Sequence, residues 1–192
     1  MKIQNLLFIL PLLFSVVACD QNDDEETPQE PVIEEGFWYD GANATAPLLP
    51  EGVYETAARF PASQLAVFNG QTLSAVHIYF MDRPFQVELR IYDEGIPSEP
   101  GDLIYSQTIN RSSLSEDSWT RIALTNPFPL SGEEIWISIK FEHGASPIQS
   151  LGCDAGPRNP DGDHFFVQNT WTNFNLFAAG ESINWNIRAE VE

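Results

Sequence analysis

Between Phe85 and Tyr92 the side chains alternate, with Phe85, Val87, Leu89 and Ile91 apolar and Gln86, Glu88, Arg90 and Tyr92 polar or amphipathic. This is the period-two pattern of a strand that buries one face. Gly95, Pro97, Pro100 and Gly101 then interrupt the pattern, which resumes over residues 103–109. Proline removes an N–H donor and glycine accepts positive φ, so the two runs read as strands joined by an exposed connection.

The same grammar recurs along the chain. Residues 54–60 form one such run, and residues 72–81 set Val76, Ile78 and Phe80 against Ala75, His77, Tyr79 and Met81. Residues 119–124 alternate until Asn126, Pro127, Phe128 and Pro129, where that strand is expected to end. Over residues 134–141, Ile135, Ile137, Ile139 and Phe141 share one face opposite Trp136, Ser138 and Lys140. Weaker runs lie at 148–151 and 164–168, and residues 183–191 place Ile183, Trp185, Ile187, Ala189 and Val191 inward. One short helix is expected near 62–68, stopped at Asn69-Gly70, where glycine supplies the left-handed residue that ends a helix. Eight or nine short strands separated by turn residues predict an all-β domain of two packed antiparallel sheets, a jelly-roll-like β-sandwich, with a closed barrel as the alternative.

Of the 28 acidic side chains in the 192-residue sequence, eight fall between Asp20 and Glu35 with no base among them. Residues 37–192 hold twenty acids and eight bases, a net charge of −12. With no basic patch to displace counterions, nucleic acid is excluded as a partner. The acidic stretch, interspersed with Thr27, Pro28, Gln29 and Pro31, has too little apolar surface to offset ordering entropy and reads as a disordered tether over residues 19–36.

Ahead of the tether stand Lys2, an apolar run from Leu6 to Val17, and Val16-Val17-Ala18-Cys19. Twelve apolar residues are too few to span a bilayer, and the four-residue motif resembles the lipobox of bacterial lipoproteins. Residues 1–18 then read as a signal peptide, and Cys19 as the lipidated first residue of the mature chain. Two or more acyl chains at about 0.8 kcal/mol per buried CH₂ anchor a protein stably to a membrane. The following Asp20-Gln21-Asn22-Asp23-Asp24-Glu25-Glu26 resembles the acidic export signal of Bacteroidota surface lipoproteins, which implies display on the outer membrane facing the exterior, with the periplasm as the alternative.

Several motifs within residues 37–192 carry a further resemblance. They are Trp38-Tyr39-Asp40-Gly41, Ala57-Ala58-Arg59-Phe60, Val87 to Tyr92, Gly101 to Gln107, Trp119, Leu151-Gly152-Cys153-Asp154-Ala155-Gly156 and Asn184-Trp185-Asn186-Ile187-Arg188-Ala189. Together the series resembles a β-sandwich module of secreted and surface proteins of Bacteroidota, found beside peptidase and adhesin domains. The resemblance implies fold and compartment, and no activity.

Candidate site residues are few. Asp154, Asp161 and Asp163 lie in one turn-rich loop, and hard calcium sites draw on such carboxylates, so these three are the candidate metal ligands. Trp136, Trp171 and Tyr79 are the candidate ligand-binding aromatics, since sugar-binding sandwiches lay flat rings against pyranose faces. With Cys19 lipidated, Cys153 has no intrachain disulfide partner and reads as a small buried residue. His77, His143 and His164 share no metal-binding spacing, and the sequence contains neither a Gly-x-Ser-x-Gly motif nor a phosphate loop. Glu88 and Glu142 form a carboxylate pair whose proximity sequence leaves open. These readings lead to a non-catalytic envelope protein. Its expected partner is a glycan or a host or matrix polymer, and the alternative role is that of an accessory subunit docked to another envelope protein.

Overall fold

The computed structural model describes residues 29–144 and 146–192. Ten strands form two antiparallel sheets: β1 (Gly36–Phe37), β2 (Gly52–Phe60), β3 (Thr72–Phe80), β4 (Gln86–Tyr92), β5 (Leu103–Ile109), β6 (Ser118–Pro129), β7 (Ile135–His143), β8 (His164–Val167), β9 (Thr170–Asn173) and β10 (Ile187–Val191). One sheet has four strands in the order β1-β10-β3-β6, the other six in the order β5-β4-β7-β2-β8-β9. The expected all-β sandwich is therefore the fold.

The alternation read from sequence decides which side chains meet between the sheets. Val76, Ile78 and Phe80 of β3 and Ile187, Ala189 and Val191 of β10 face Ala58 and Phe60 of β2, Leu89 and Ile91 of β4, and Ile137 and Ile139 of β7 within one continuous core. Each large aliphatic or aromatic side chain removed from water in this way contributes about 1.5–3 kcal/mol. Cys153 is fully buried within the same core.

Several boundaries differ from those expected. The helix near 62–68 forms as α1 (Ala62–Leu65) running into a 3-10 turn at Ala66–Phe68. A second short helix, α2 (Phe174–Phe177), and a 3-10 turn at Arg111–Ser113 were not anticipated. Phe174 of α2 packs edge-on against Trp185 at 5.1 Å, so this turn is made by tertiary contact and not by local propensity. β6 does not stop at Asn126 but continues through Pro127 to Pro129. It lies at the edge of its sheet, where a missing N–H on the open side leaves no neighbour unpaired. Residues 148–151 make only isolated bridges, Leu49 with Ile148 and Phe80 with Leu151.

Phe85, expected on the buried face of its strand, is instead 63% exposed. β4 begins one residue later, and the ring falls beyond the last position at which the opposing sheet covers it.

Part of the segment expected to be a tether packs on the domain. Glu30 pairs with Arg188 at 2.5 Å, and the carbonyl of Glu35 accepts from the Val191 amide at 3.0 Å, so the acidic segment is already fastened to β10 before Gly36. An acidic residue meeting a buried cation, together with a free strand edge, supplies what composition alone lacked. The signal peptide, Cys19 and residues 20–28 lie outside the described residues. Among the described residues no helix is long and apolar enough to cross a membrane.

Candidate functional site

The solvent side of the six-stranded sheet is built in tiers by strand register. Val53 of β2, Glu142 of β7 and Gln86 of β4 stand side by side at one end. Glu55, Lys140, Glu88 and Thr108 form the next tier, then Ala57, Ser138, Arg90 and Ser106, and finally Arg59, Trp136 and Tyr92. Successive side chains of a strand point to opposite faces, so this face is the complement of the hydrophobic pattern that makes the core.

The middle tiers are a closed polar network. Arg90 donates to Glu88 at 2.9 Å, and to Glu55 and Tyr92 at 3.2 Å. Glu55, 4% exposed, also accepts from Tyr92 at 2.7 Å and from Ser138 at 2.5 Å. Burial, followed by the Glu55 charge, holds the Tyr92 phenol well above its ordinary range. Each buried polar atom of this network has a partner, as a low-dielectric site requires.

The far end is sealed by aromatic rings. Trp136 is fully buried although it lies on the outward face. His164 lies against it at 4.3 Å and Trp171 meets it edge-on at 6.2 Å. Its indole N–H donates to Glu134 at 3.1 Å, which in turn pairs with Arg59 at 2.6 Å. Trp171, half-buried, also contacts Phe166 at 5.3 Å and Tyr92 at 6.4 Å. Trp136 is thus a packing residue and offers no face to a sugar. Tyr79 is corrected likewise, being fully buried on the other sheet, edge-on to Trp119 at 5.7 Å with its hydroxyl donating to Asp117 at 2.7 Å. Of the three expected aromatics, the fold brings together only Trp136 and Trp171, and it uses them as a lid.

The expected calcium loop is likewise occupied by its own folding. Asp154 accepts from the amides of Gly41, Gly156 and Asn184 and from the Asn184 side chain, at 2.7–3.0 Å. Asp163 accepts from Arg158 at 2.6 Å, from Asn173 at 2.8 Å and from the Asn175 amide at 3.1 Å. Asp161 pairs with Arg59 at 2.9 Å. Among the described residues no group of three or more His, Cys, Asp or Glu side chains could hold a metal ion. The three carboxylates shape the loop and do not converge on a cation.

What remains open is the near end. A cleft of about 340 Å³ is lined by Val53, Phe85, Gln86, Glu88, Arg111, Lys140 and Glu142, among others, a volume within the range of small-ligand sites, about 300–1,000 Å³. Phe85 and Val53, 63% and 53% exposed, supply apolar surface. Arg111 donates to the backbone carbonyls of Pro84 at 3.0 Å and Arg83 at 3.2 Å, which fixes the turn that carries Phe85. Antiparallel pairing of β4 with β7 puts Glu88 opposite Lys140 and Gln86 opposite Glu142, so the two carboxylates left apart in the sequence share this cleft. Glu88 is committed to Arg90 at 2.7 Å.

Sequence reasoning missed Phe85, Val53, Lys140 and Arg111 as site residues. The available signal was Pro84, which ends the preceding segment and marks Phe85 as the first residue of a new direction. Cys153 is buried in the core away from this face, and burial pushes its thiol up to about 12.

No protein-family model and no curated protein matches this sequence. Among solved structures, the chain is similar to the cysteine protease and lectin-like domains of Cwp84, a surface layer associated protein of Clostridium difficile. That similarity has 12% identity and a TM-score of 0.45, covering 73% of this chain and 32% of that chain. The chain therefore spans about a third of the length of that solved chain.

Proposed function

We propose that the protein is a lipid-anchored envelope lipoprotein, displayed on the outer membrane, whose β-sandwich binds a glycan or a host or matrix polymer without transforming it. The observation that carries this reading is the cleft at the end of the six-stranded sheet. It sets an exposed aromatic ring and a valine beside Gln86, Thr108, Lys140 and Glu142. An apolar platform rimmed by a few hydrogen-bonding groups is how proteins recognise the faces and hydroxyls of sugars.

An accessory subunit docked through a sheet would instead call for a broad apolar outer face. Neither sheet offers one: the six-stranded sheet carries Glu55, Arg90 and Lys140 outward, and the four-stranded sheet carries His77, Arg121 and Glu190.

The test is a glycan array and polysaccharide pull-down with wild type, Phe85→Ala and Lys140→Ala. Phe85→Ala should weaken binding at least about tenfold, the loss of roughly 1.4 kcal/mol, while leaving thermal stability almost unchanged because the ring is exposed. Retained sugar polymer with no release of soluble product separates binding from hydrolysis. Failure to bind any glycan or polymer, or binding indifferent to Phe85, would overturn the reading.

A further inference from the structure

Three side-chain oxygens at one end of the four-stranded sheet accept from no donor among the described residues: Asp40 Oδ1, Asn43 Oδ1 and Asn186 Oδ1. Asp40 is 6% exposed and Asn186 is fully buried. A buried acceptor without a partner costs about 1–3 kcal/mol, and native proteins hold few of them, so three in one neighbourhood point to a bound group that donates to them or is coordinated by them.

The chain gathers these oxygens by specific contacts. Gly152 sits between Tyr79 and Asn186, donating to the Tyr79 carbonyl at 2.9 Å and accepting from the Asn186 amide at 3.0 Å. A Cβ on Gly152 would stand 2.4 Å from Asn43 Oδ1 and 2.9 Å from Asn186 Oδ1, so glycine is what lets both amide oxygens occupy this space. The Asn186 side-chain nitrogen donates to Asp40 Oδ2 at 2.9 Å and to the Gly41 carbonyl at 3.3 Å. Both contacts require a donor, which assigns Oδ1 to the opposite side of the amide. Arg188 Nε holds the same Asp40 Oδ2 at 2.8 Å and leaves Oδ1 free.

The electrostatics favour a cation despite Arg188. Glu30 pairs with Arg188, Asp117 accepts from Tyr79, and Asp154 accepts from the Gly41 amide at 3.0 Å. Of these carboxylates Glu30 and Asp40 pair with the Arg188 guanidinium, and Asp117 and Asp154 are held by neutral donors, so acidic groups outnumber the one cation among these contacts. Carboxylate and amide oxygens are hard donors, the set that calcium takes in preference to softer metals. We propose that Asp40, Asn43 and Asn186 contribute to a calcium site that locks the loop after β1 to the start of β10, separate from both the cleft and the 154–163 loop. With one free carboxylate oxygen among these ligands, the affinity belongs to the weak class of extracellular modules, Kd about 0.1–1 mM.

The test uses the full chain freed of metal by a chelator, with two readouts. Terbium bound here should luminesce on excitation of the protein, since the Tyr79 ring lies against Gly152 and Trp119 packs on Tyr79. Calcium should displace terbium and, at tenfold excess over Kd, raise Tm by about 3–6 °C. Asp40→Asn and Asn43→Ala should each abolish both signals, whereas Asp161→Asn should keep them. Asn43 is half-buried in a loop, so its variant remains informative if Asp40→Asn fails to fold. No saturable luminescence or Tm shift, signals surviving in Asn43→Ala, or signals lost in Asp161→Asn would each overturn the proposal.

Discussion

His164 shows how far a single side chain's surroundings govern its behaviour. Its ring is 1% exposed, lies against Trp136, and has neither nitrogen partnered among the described residues. Burial lowers its pKa to about 4, against the pull of Asp163 and Asp161 in the other direction. Unfolded, the same imidazole titrates near the ordinary value of about 6.5. Between those values the unfolded chain binds the extra proton, so the contribution of His164 is fully present above pH 6.5 and is lost as pH falls toward 4. The loss is on the order of 3 kcal/mol. Urea denaturation at pH 7 and pH 4 should show a drop that His164→Phe reduces, and an equal drop in both proteins would refute this account. Phe85 is the converse case, a residue that alternation assigns to the core and that the strand's actual start releases to solvent. Periodicity reports which face a residue would take if the strand continued through it, and Pro84 ends that continuity.

Among the elements, the informative ones are the two sheet edges, β5 and β6. They come close without pairing, and the side chain of Gln107 bridges them by imitating a peptide group. Its Nε2 donates to the Ala123 carbonyl at 3.1 Å and its Oε1 accepts from the Thr125 amide at 2.8 Å. One glutamine thus occupies backbone groups of β6 that would otherwise form an open edge. Gln107→Ala should cost about 1–3 kcal/mol, because three hydrogen bonds are lost, the third being the one that Oε1 accepts from the Tyr105 hydroxyl at 2.5 Å. It should also speed hydrogen exchange at the Thr125 amide selectively, and unchanged exchange there would show that the bridge does not hold the edge. The prolines of β6 fit the same picture, since an edge tolerates missing donors that an interior strand would not. By local pattern alone, Pro127 ends a strand. What overrode it was the position of β6 in its sheet, which no local pattern encodes.

For the whole molecule, Arg188 ties distant parts of the chain together. From β10 it reaches Glu30 at 2.5 Å, Asp40 at 2.8 Å and the Gly41 carbonyl at 2.7 Å, with its guanidinium 4.2 Å over the Trp119 ring of β6. Removing it leaves Asp40 buried without its cation, so Arg188→Ala should destabilise the protein by about 3–5 kcal/mol, measurable as a fall in Tm of at least about 6 °C. A change smaller than 1 kcal/mol, the worth of an exposed pair, would mean that the N-terminal segment is not fastened as described. The all-β class, the positions of β2, β3, β4, β5, β7 and β8 to within a few residues, and the inward set Ile135, Ile137, Ile139 and Phe141 were legible in the chain, whereas the short strands β1 and β9 were not. The reason is that alternation and turn residues act over a few neighbours. The cleft, the sealing of Trp136 and the use of the Asp154, Asp161 and Asp163 carboxylates were settled only by tertiary structure. Each depends on which strands became neighbours, β4 beside β7 and β8 beside β2, and on loops brought together across more than a hundred residues of sequence.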